Sequence, residues 1–229
     1  MVINDIIEDL RQLATADHYA KLKHFGIEDK DALGVKIPDL RKYAARFGKD
    51  HELALELWET GIHEVMIMAS YIADPRQLTE AQAARWIRSF NSWDVCDQTC
   101  DVIARTDFAH KLIENYSSEN EEFVKRTAFV LMCSLAVHDK KAPDELFISY
   151  LSIIEREAWD ERNFVRKAVN WALRQIGKRN PVLREKAIES GERIKAQGTK
   201  SARWIAGDAL RELHDEKIIA RIHSKSKTK

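Results

Sequence analysis

Trp93 and Asp97 are the residues whose types and spacing best suit chemistry on a ligand. Around them Val95, Thr99 and Val102 follow the i, i+4, i+7 spacing of a buried helix face. Neighbours at i and i+4 lie side by side, so the indole and the carboxylate share a face roughly opposite that stripe. Two interpretations are open: packing of the tryptophan against a neighbouring helix or loop, or a surface that faces a ligand.

A second group of aromatic and basic side chains lies on the helix predicted over 161–178. The buried stripe of that helix leaves two aromatic and three basic residues outside the core, and these are Phe164, Trp171, Lys167, Arg174 and Lys178. On the helix predicted over 121–137, the apolar stripe places Arg126 on the equivalent outer face. Residues 163–203 hold eleven Lys/Arg and three Asp/Glu, an excess of eight positive charges. Such a face suits nucleic acid, because the cations can bind phosphates and the rings can contact sugars or bases. A charged face that is simply solvated is an equal alternative.

The elements that position these residues are all predicted to be helices. Only eight Gly and four Pro occur in 229 residues, and no period-two strand pattern is found. The predicted helices cover 3–13, 17–25, 38–47, 50–61, 62–73, 80–90, 93–105, 108–116, 121–137, 143–159, 161–178, 181–197 and 201–213.

Weak internal repeats organise these helices. Residues 123–128 resemble 164–169, forty-one positions later, and 172–174 return at 209–211, thirty-seven positions later. A period near 40 with paired helices is typical of HEAT repeats, so we predict an all-α HEAT-like solenoid with a concave binding face. One domain is expected over 1–223, followed by a basic, disordered tail over 224–229.

Composition and the remaining motifs exclude several function classes. Lys+Arg and Asp+Glu both number 37, so the net charge predicts no partner by itself. Cys96, Cys100 and Cys133 suit a reducing cytoplasm and burial as small apolar residues, without metal. No signal peptide and no apolar run of about 18 residues occurs, so we expect a soluble protein without a membrane segment.

Two histidines and a second Trp–Asp pair are predicted to have structural roles only. His51 and His63 lack the second histidine of a zinc protease helix, so solvated helix starts are predicted. Trp204 and Asp208 repeat the spacing of Trp93 and Asp97, but their alanine neighbours indicate ordinary close packing. No phosphate-binding glycine loop or nucleophile elbow is present.

Four segments in order resemble the AlkD family of DNA alkylation repair glycosylases, and together they span most of the chain. The segments are 33–41 (LGVKIPDLR), 92–97 (SWDVCD), 124–128 (VKRTA) and 164–174 (FVRKAVNWALR). The resemblance implies a HEAT-like solenoid that excises alkylated bases. It places the family's catalytic Trp and Asp on Trp93 and Asp97, its second cleft Trp on Trp171 and its cleft Arg on Arg126. Phe164 matches one of two adjacent cleft aromatics.

Two positions depart from the family pattern. The second of the adjacent aromatics is Asn163, and the family's N-terminal cleft Tyr falls near Phe25.

A mechanism follows from the resemblance and from elementary chemistry. N3- and N7-alkylated purines carry positive charge and leave readily, and breaking their glycosidic bond develops a sugar cation that Asp97 would stabilise. Trp93 and Trp171 would hold the sugar and the cationic base, and Arg126 would bind backbone phosphate. The expected partner of this monomer is duplex DNA with alkylated bases, without cofactor or metal. Two alternatives are a non-catalytic DNA-structure-binding relative and a protein-interaction scaffold.

Overall fold

The protein is helical throughout the part that the structure, a computed structural model, describes: residues 3–27 and 30–226, with side chains as far as Ser224. Fourteen helices and no strand occur there. They are α1 Ile3–Leu13, α2 Ala16–His24, α3 Ile37–Ala44, α4 His51–Trp58, α5 His63–Ile72, α6 Glu80–Arg88, α7 Trp93–Ile103, α8 Ala109–Tyr116, α9 Glu122–His138, α10 Asp144–Glu157, α11 Asn163–Gly177, α12 Pro181–Ala196, α13 Lys200–Leu213 and α14 Glu216–Ser226. The all-α prediction is therefore confirmed. None of these helices is long and apolar enough to cross a membrane.

The last helix, α14, was not predicted from the sequence. Residues 224–226, expected to begin a disordered tail, form the last turn of α14, and residues 227–229 lie outside the described part. The apolar signal was present, because Ile218 and Ile222 are four positions apart. Ile222 is buried.

Helix ends follow the side chains and glycines that favour them. Asp50 caps α4 by accepting from the N–H of Leu53 at 3.1 Å, as predicted. α2 begins differently from the prediction: Thr15 is its N-cap, and Asp17 lies in the first turn. Gly48 has a φ of 63°, a left-handed conformation that favours glycine, three residues after the C-cap of α3.

The chain divides into two compact units, Met1–Ala109 and His110–Lys229. In the first unit α5 packs against α3, α4 and α7. In the second unit α11 packs against α9, α10, α12 and α13, and α14 packs against α12 and α13. Alternate helices are thus spatial neighbours within each unit, as in stacked helical pairs. A single domain over 1–223 stays a prediction.

Side-chain hydrogen bonds between successive repeats reveal the repeat length. In the second unit, Ser201 Oγ donates to the carbonyl of Asp160, 41 positions earlier, at 2.7 Å. Asn180 donates to the Asp144 carboxylate, 36 positions earlier. In the first unit, the indole N–H of Trp58 donates to Ser89, 31 positions later. The predicted period near 40 is therefore present in the second unit, and the contacts of the first unit are spaced more closely.

Candidate functional site

The first unit carries the predicted Trp–Asp pair at the start of α7. Val95 and Thr99 are fully buried and Val102 nearly so, whereas Trp93 and Asp97 are half-buried. The predicted separation of the pair from the buried stripe is therefore confirmed.

Trp93 is fixed against the segment that follows α2. Its indole N–H donates to the backbone carbonyl of Phe25 at 2.9 Å. The indole also packs on the buried cluster of Leu22, Ile27 and Ala32. Packing against a neighbouring loop, one of the two interpretations of this tryptophan, is thus realised. Phe25, near which the resemblance places the family's N-terminal Tyr, supplies its carbonyl, and the residue is 51% exposed.

Glu64 holds the loop that leads from this segment into α3. This fully buried carboxylate accepts the backbone N–H groups of Leu33 at 2.7 Å, Gly34 at 2.6 Å and Val35 at 3.0 Å. Gly34 has a φ of +91°, and a Cβ there would lie 2.8 Å from the Cβ of Tyr19. The LGV run at 33–35 therefore has a structural role: Gly34 permits close packing, and the three backbone N–H groups surround one carboxylate. Sequence reasoning did not find Glu64, because its partners lie about thirty positions away.

His63 and Asp94 join α5 to the first turn of α7. His63 Nε2 lies 2.9 Å from Asp94 Oδ2, and both side chains are buried. Burial by itself raises the pKa of Asp94, but the hydrogen bond and charge of His63, with a bond from the Val95 N–H, hold that pKa below its ordinary value. The prediction of a solvated His63 was wrong, and His51 is buried as well.

A second polar cluster lies one residue beyond Asp97. The side-chain oxygen of Gln98 accepts from Tyr71 Oη at 2.6 Å and from Arg41 Nη2 at 2.8 Å. Arg41, the last residue of the 33–41 segment, is exposed. α3, α5 and α7 thus each contribute one side chain to a single hydrogen-bonded cluster.

In the second unit, α11 presents the predicted aromatic and basic residues. Phe164 and Trp171 are half-buried, and Lys167 is exposed. The Phe164 ring lies 5.5 Å from the Phe123 ring, centroid to centroid, and its backbone N–H donates to Glu122 at 3.1 Å. The predicted orientation of α11 is confirmed.

Arg126 corrects a prediction about its surroundings. It was expected on an outer face, but it is only 5% exposed. Its Nη1 donates to the carbonyl of Phe164 at 2.5 Å. α9 is buried over nearly its whole circumference, so its apolar stripe could not reveal an outer face. The guanidinium fixes the first turn of α11, where Phe164 lies.

Arg174 and Lys178 are paired with acidic residues of α13. Arg174 Nη1 lies 3.0 Å from Asp208 Oδ2, and Lys178 Nζ lies 2.6 Å from Glu212 Oε1. Part of the basic excess over 163–203 is thus neutralised by residues after 203. The close-packing prediction for Trp204 was wrong: this side chain is 40% exposed, and the cation of Arg166, a residue of α11, lies 5.0 Å from its ring centroid.

A buried ion cluster forms around Lys125, the neighbour of Arg126 on α9. Lys125 Nζ lies 2.7 Å from Glu157 and 3.0 Å from Asp160, and all three side chains are almost fully buried. Arg162 forms a two-pronged pair with Asp160. Burial alone raises the pKa of Asp160, but the bonds from Arg162 and Lys125 lower it to about 2. Sequence reasoning did not identify this cluster.

Comparison with known proteins gives the family of this chain. The family model for DNA alkylation repair enzymes matches residues 6–213. The chain belongs to the DNA alkylation repair enzyme family. The protein is also similar to an uncharacterized protein of Listeria innocua, Lin0241, with 22% identity over 191 residues, covering 81% of this chain and 83% of the relative.

A solved structure confirms the HEAT-like fold. It matches with a TM-score of 0.76 and 20% identity, covering 84% of this chain and 83% of the other. That protein is described as one of "a new family of proteins related to the HEAT-like repeat DNA glycosylases with affinity for branched DNA structures". At this identity the likeness shows the fold alone.

The family match ends at 213, so α14 lies beyond it. Inside the match, no group of three or more His, Cys, Asp or Glu that could hold a metal ion occurs among the described residues. Cys96, Cys100 and Cys133 are free and buried, as predicted for small apolar side chains.

Proposed function

We propose that this member of the DNA alkylation repair enzyme family is a DNA glycosylase that hydrolyses the N-glycosidic bond of N3- and N7-alkylated purines in duplex DNA. The observation that carries the proposal is the Trp93–Asp97 pair, which shares the half-buried face of α7. A carboxylate on a DNA-binding surface is repelled by phosphate unless a positive species is there to meet it. The cationic base and the developing sugar cation are such species.

Asp97 supplies the electrostatic step. As the glycosidic bond breaks, the electron pair leaves with the purine and positive charge grows on the deoxyribose. A fixed carboxylate stabilises this charge more in the transition state than in the ground state, which is the condition for catalysis. Water then adds to the sugar carbon and loses a proton, for which Asp97 is the acceptor.

Trp93 and the segment around Phe25 position the reacting sugar. The Trp93 N–H is bound to the Phe25 carbonyl, so its ring orientation is set by protein contacts before DNA arrives. A preset ring loses little conformational entropy on binding, and its electron-rich face attracts positive charge.

The second unit supplies DNA contacts and a second aromatic ring. Trp171, half-buried on α11, offers an aromatic face to DNA, and Lys167, exposed on the same helix, contacts phosphate. Arg174 and Lys178 share their charge with α13 carboxylates, so each contributes less to phosphate binding than a lone cation. Arg126 acts on DNA through Phe164, whose backbone it holds.

A second candidate function is non-catalytic binding of branched DNA. The match in fold to a protein described as having affinity for branched DNA structures favours it. Such a binder uses the same cations, but it gains nothing from a carboxylate on α7.

Release of free 7-methylguanine from DNA under single-turnover conditions tests the proposal. We expect excision by the wild type and a loss of about 10²–10³ in rate for Asp97→Asn, which removes the charge and keeps the shape. Asp101→Asn is the matched control, because Asp101 lies one turn further along α7, where it pairs with Arg105. Equal rates for the wild type and Asp97→Asn would remove Asp97 from the mechanism. Absence of excision with tight binding of branched DNA would favour the second function.

A further inference from the structure

A cavity of about 790 Å³ lies within the second unit, where α9 and α11 end and α10 and α12 begin. α14 forms one side of it through Ile218, Arg221 and Ile222. Ligand pockets usually measure about 300–1,000 Å³. Of the residues assigned to DNA above, Lys178 lines this cavity, and the α14 side of the cavity lies beyond the family match.

The lining carries net positive charge. Its charged residues are Lys140, Lys178, Arg179, Arg221, Asp144 and Glu212. Four cations and two carboxylates leave a net charge of +2. Both carboxylates are already occupied, because Asp144 accepts from Asn180 at 2.9 Å and Glu212 accepts from Lys178 at 2.6 Å.

Arg221 is the cation best placed to meet a ligand. It is exposed, and its guanidinium makes no hydrogen bond or ion pair with any residue that the structure describes. By contrast, the Arg179 guanidinium already has partners within the protein, because it donates to the carbonyls of Ala136 and Ala142. Lys217, one turn before Arg221 on α14, is also exposed and adds positive charge beside the cavity.

The rest of the lining is apolar or amide in character. Val137 is 38% exposed, and Ile218 is half-buried on the facing helix. Gln175 and Asn180 add side-chain amides. Aliphatic walls suit the faces of sugars, and amides and cations suit phosphate oxygens. The lining residues that the structure describes include no aromatic ring on which a base could stack, so the cavity suits the backbone. A double helix is too wide for a space of this volume, whereas a short stretch of single strand fits.

We propose that this cavity binds the sugar-phosphate backbone of single-stranded DNA, with the Arg221 guanidinium as its phosphate ligand. The choice of DNA as the polyanion rests on the proposed function, and the site itself is independent of the chemistry at Asp97. The cavity then provides a place for an unpaired arm of a damaged or branched duplex.

Fluorescence anisotropy with a labelled oligothymidylate tests the cavity. The wild type should bind it, and Arg221→Gln should weaken binding by about tenfold, the value of one charge-assisted hydrogen bond. The slope of log K against log salt should flatten by about 0.7, the single-strand value for one phosphate. Arg11→Gln is the matched control, because it removes the same charge from an exposed arginine of α1 and should leave affinity unchanged.

A second variant addresses the cavity wall. Val137→Asp places a negative charge on an exposed wall position and should weaken oligothymidylate binding, while circular dichroism shows an intact fold. Failure of the wild type to bind oligothymidylate, or equal affinities for Arg221→Gln and Arg11→Gln, would overturn the proposal. Excision of 7-methylguanine from a blunt duplex separates the two proposals. If excision is absent while oligothymidylate binding depends on Arg221, the glycosylase fails and the cavity stands.

Discussion

Replacing Glu64 with glutamine should destabilise the first unit and release Trp93 from its fixed position. The two carboxylate oxygens accept three backbone N–H groups from 33–35, and the side chain is 1% exposed. Glutamine offers one oxygen, and its NH₂ group must face at least one N–H as donor against donor. One buried donor left unsatisfied costs about 1–3 kcal/mol, and the remaining bonds lose their charge assistance. We therefore expect a loss of about 2–4 kcal/mol in the free energy of unfolding.

Urea unfolding followed by circular dichroism measures this loss. Glu52→Gln is the matched control, since Glu52 is an exposed residue in the first turn of α4 and should change stability by less than about 0.5 kcal/mol. A loss below that level for Glu64→Gln as well would refute the role of the carboxylate as the holder of the loop.

A double-mutant cycle tests whether the loop held by Glu64 is energetically coupled to the position of Trp93. Trp93→Phe removes the N–H that binds the Phe25 carbonyl and should cost about 0.5–1.5 kcal/mol. If Glu64 fixes the segment that carries Phe25, the two losses should couple by at least about 0.5 kcal/mol. Additive losses would show that Trp93 is held independently of Glu64.

Three further predictions concern the second unit. Lys125→Met removes the cation shared by Glu157 and Asp160, which keep Arg156 and Arg162 as partners, and should cost about 1–3 kcal/mol in urea unfolding, whereas the exposed Lys186→Met should cost less than about 1 kcal/mol. Because the pKa of Asp160 is lowered from 3.8 to about 2, its stabilisation is complete above about pH 4 and is lost as the pH falls through about 2. Asp160→Asn should therefore flatten the stability–pH curve in that window, by about 1–2 kcal/mol after solvent screening, and an unchanged curve would contradict this. Arg126→Lys keeps the charge but loses the planar donor that reaches the Phe164 carbonyl, so DNA affinity should fall with an unchanged salt slope; a slope flatter by about one unit would instead make it a phosphate ligand.

The local pattern was sufficient on α7 and α11. Their apolar periodicity placed Trp93, Asp97, Phe164 and Trp171 off the core, and all four residues are half-buried. The same method was wrong for Arg126, because α9 is buried nearly all round and its polar residues are enclosed by their neighbours. α14 was not predicted, because its two isoleucines, Ile218 and Ile222, precede a run of basic residues that is typical of a disordered tail.

The sequence by itself determined the helical class, the repeat and the faces of α7 and α11, because these depend on residue spacing along one helix. It also carried enough family pattern to identify the candidate residues. Only the tertiary structure decided their partners. Glu64 with the 33–35 loop, Arg174 with Asp208 and Arg126 with Phe164 are pairs separated by 29 to 38 positions. Spacing along the chain predicts which face of a helix a side chain occupies. The residue with which it pairs depends on how successive repeats stack.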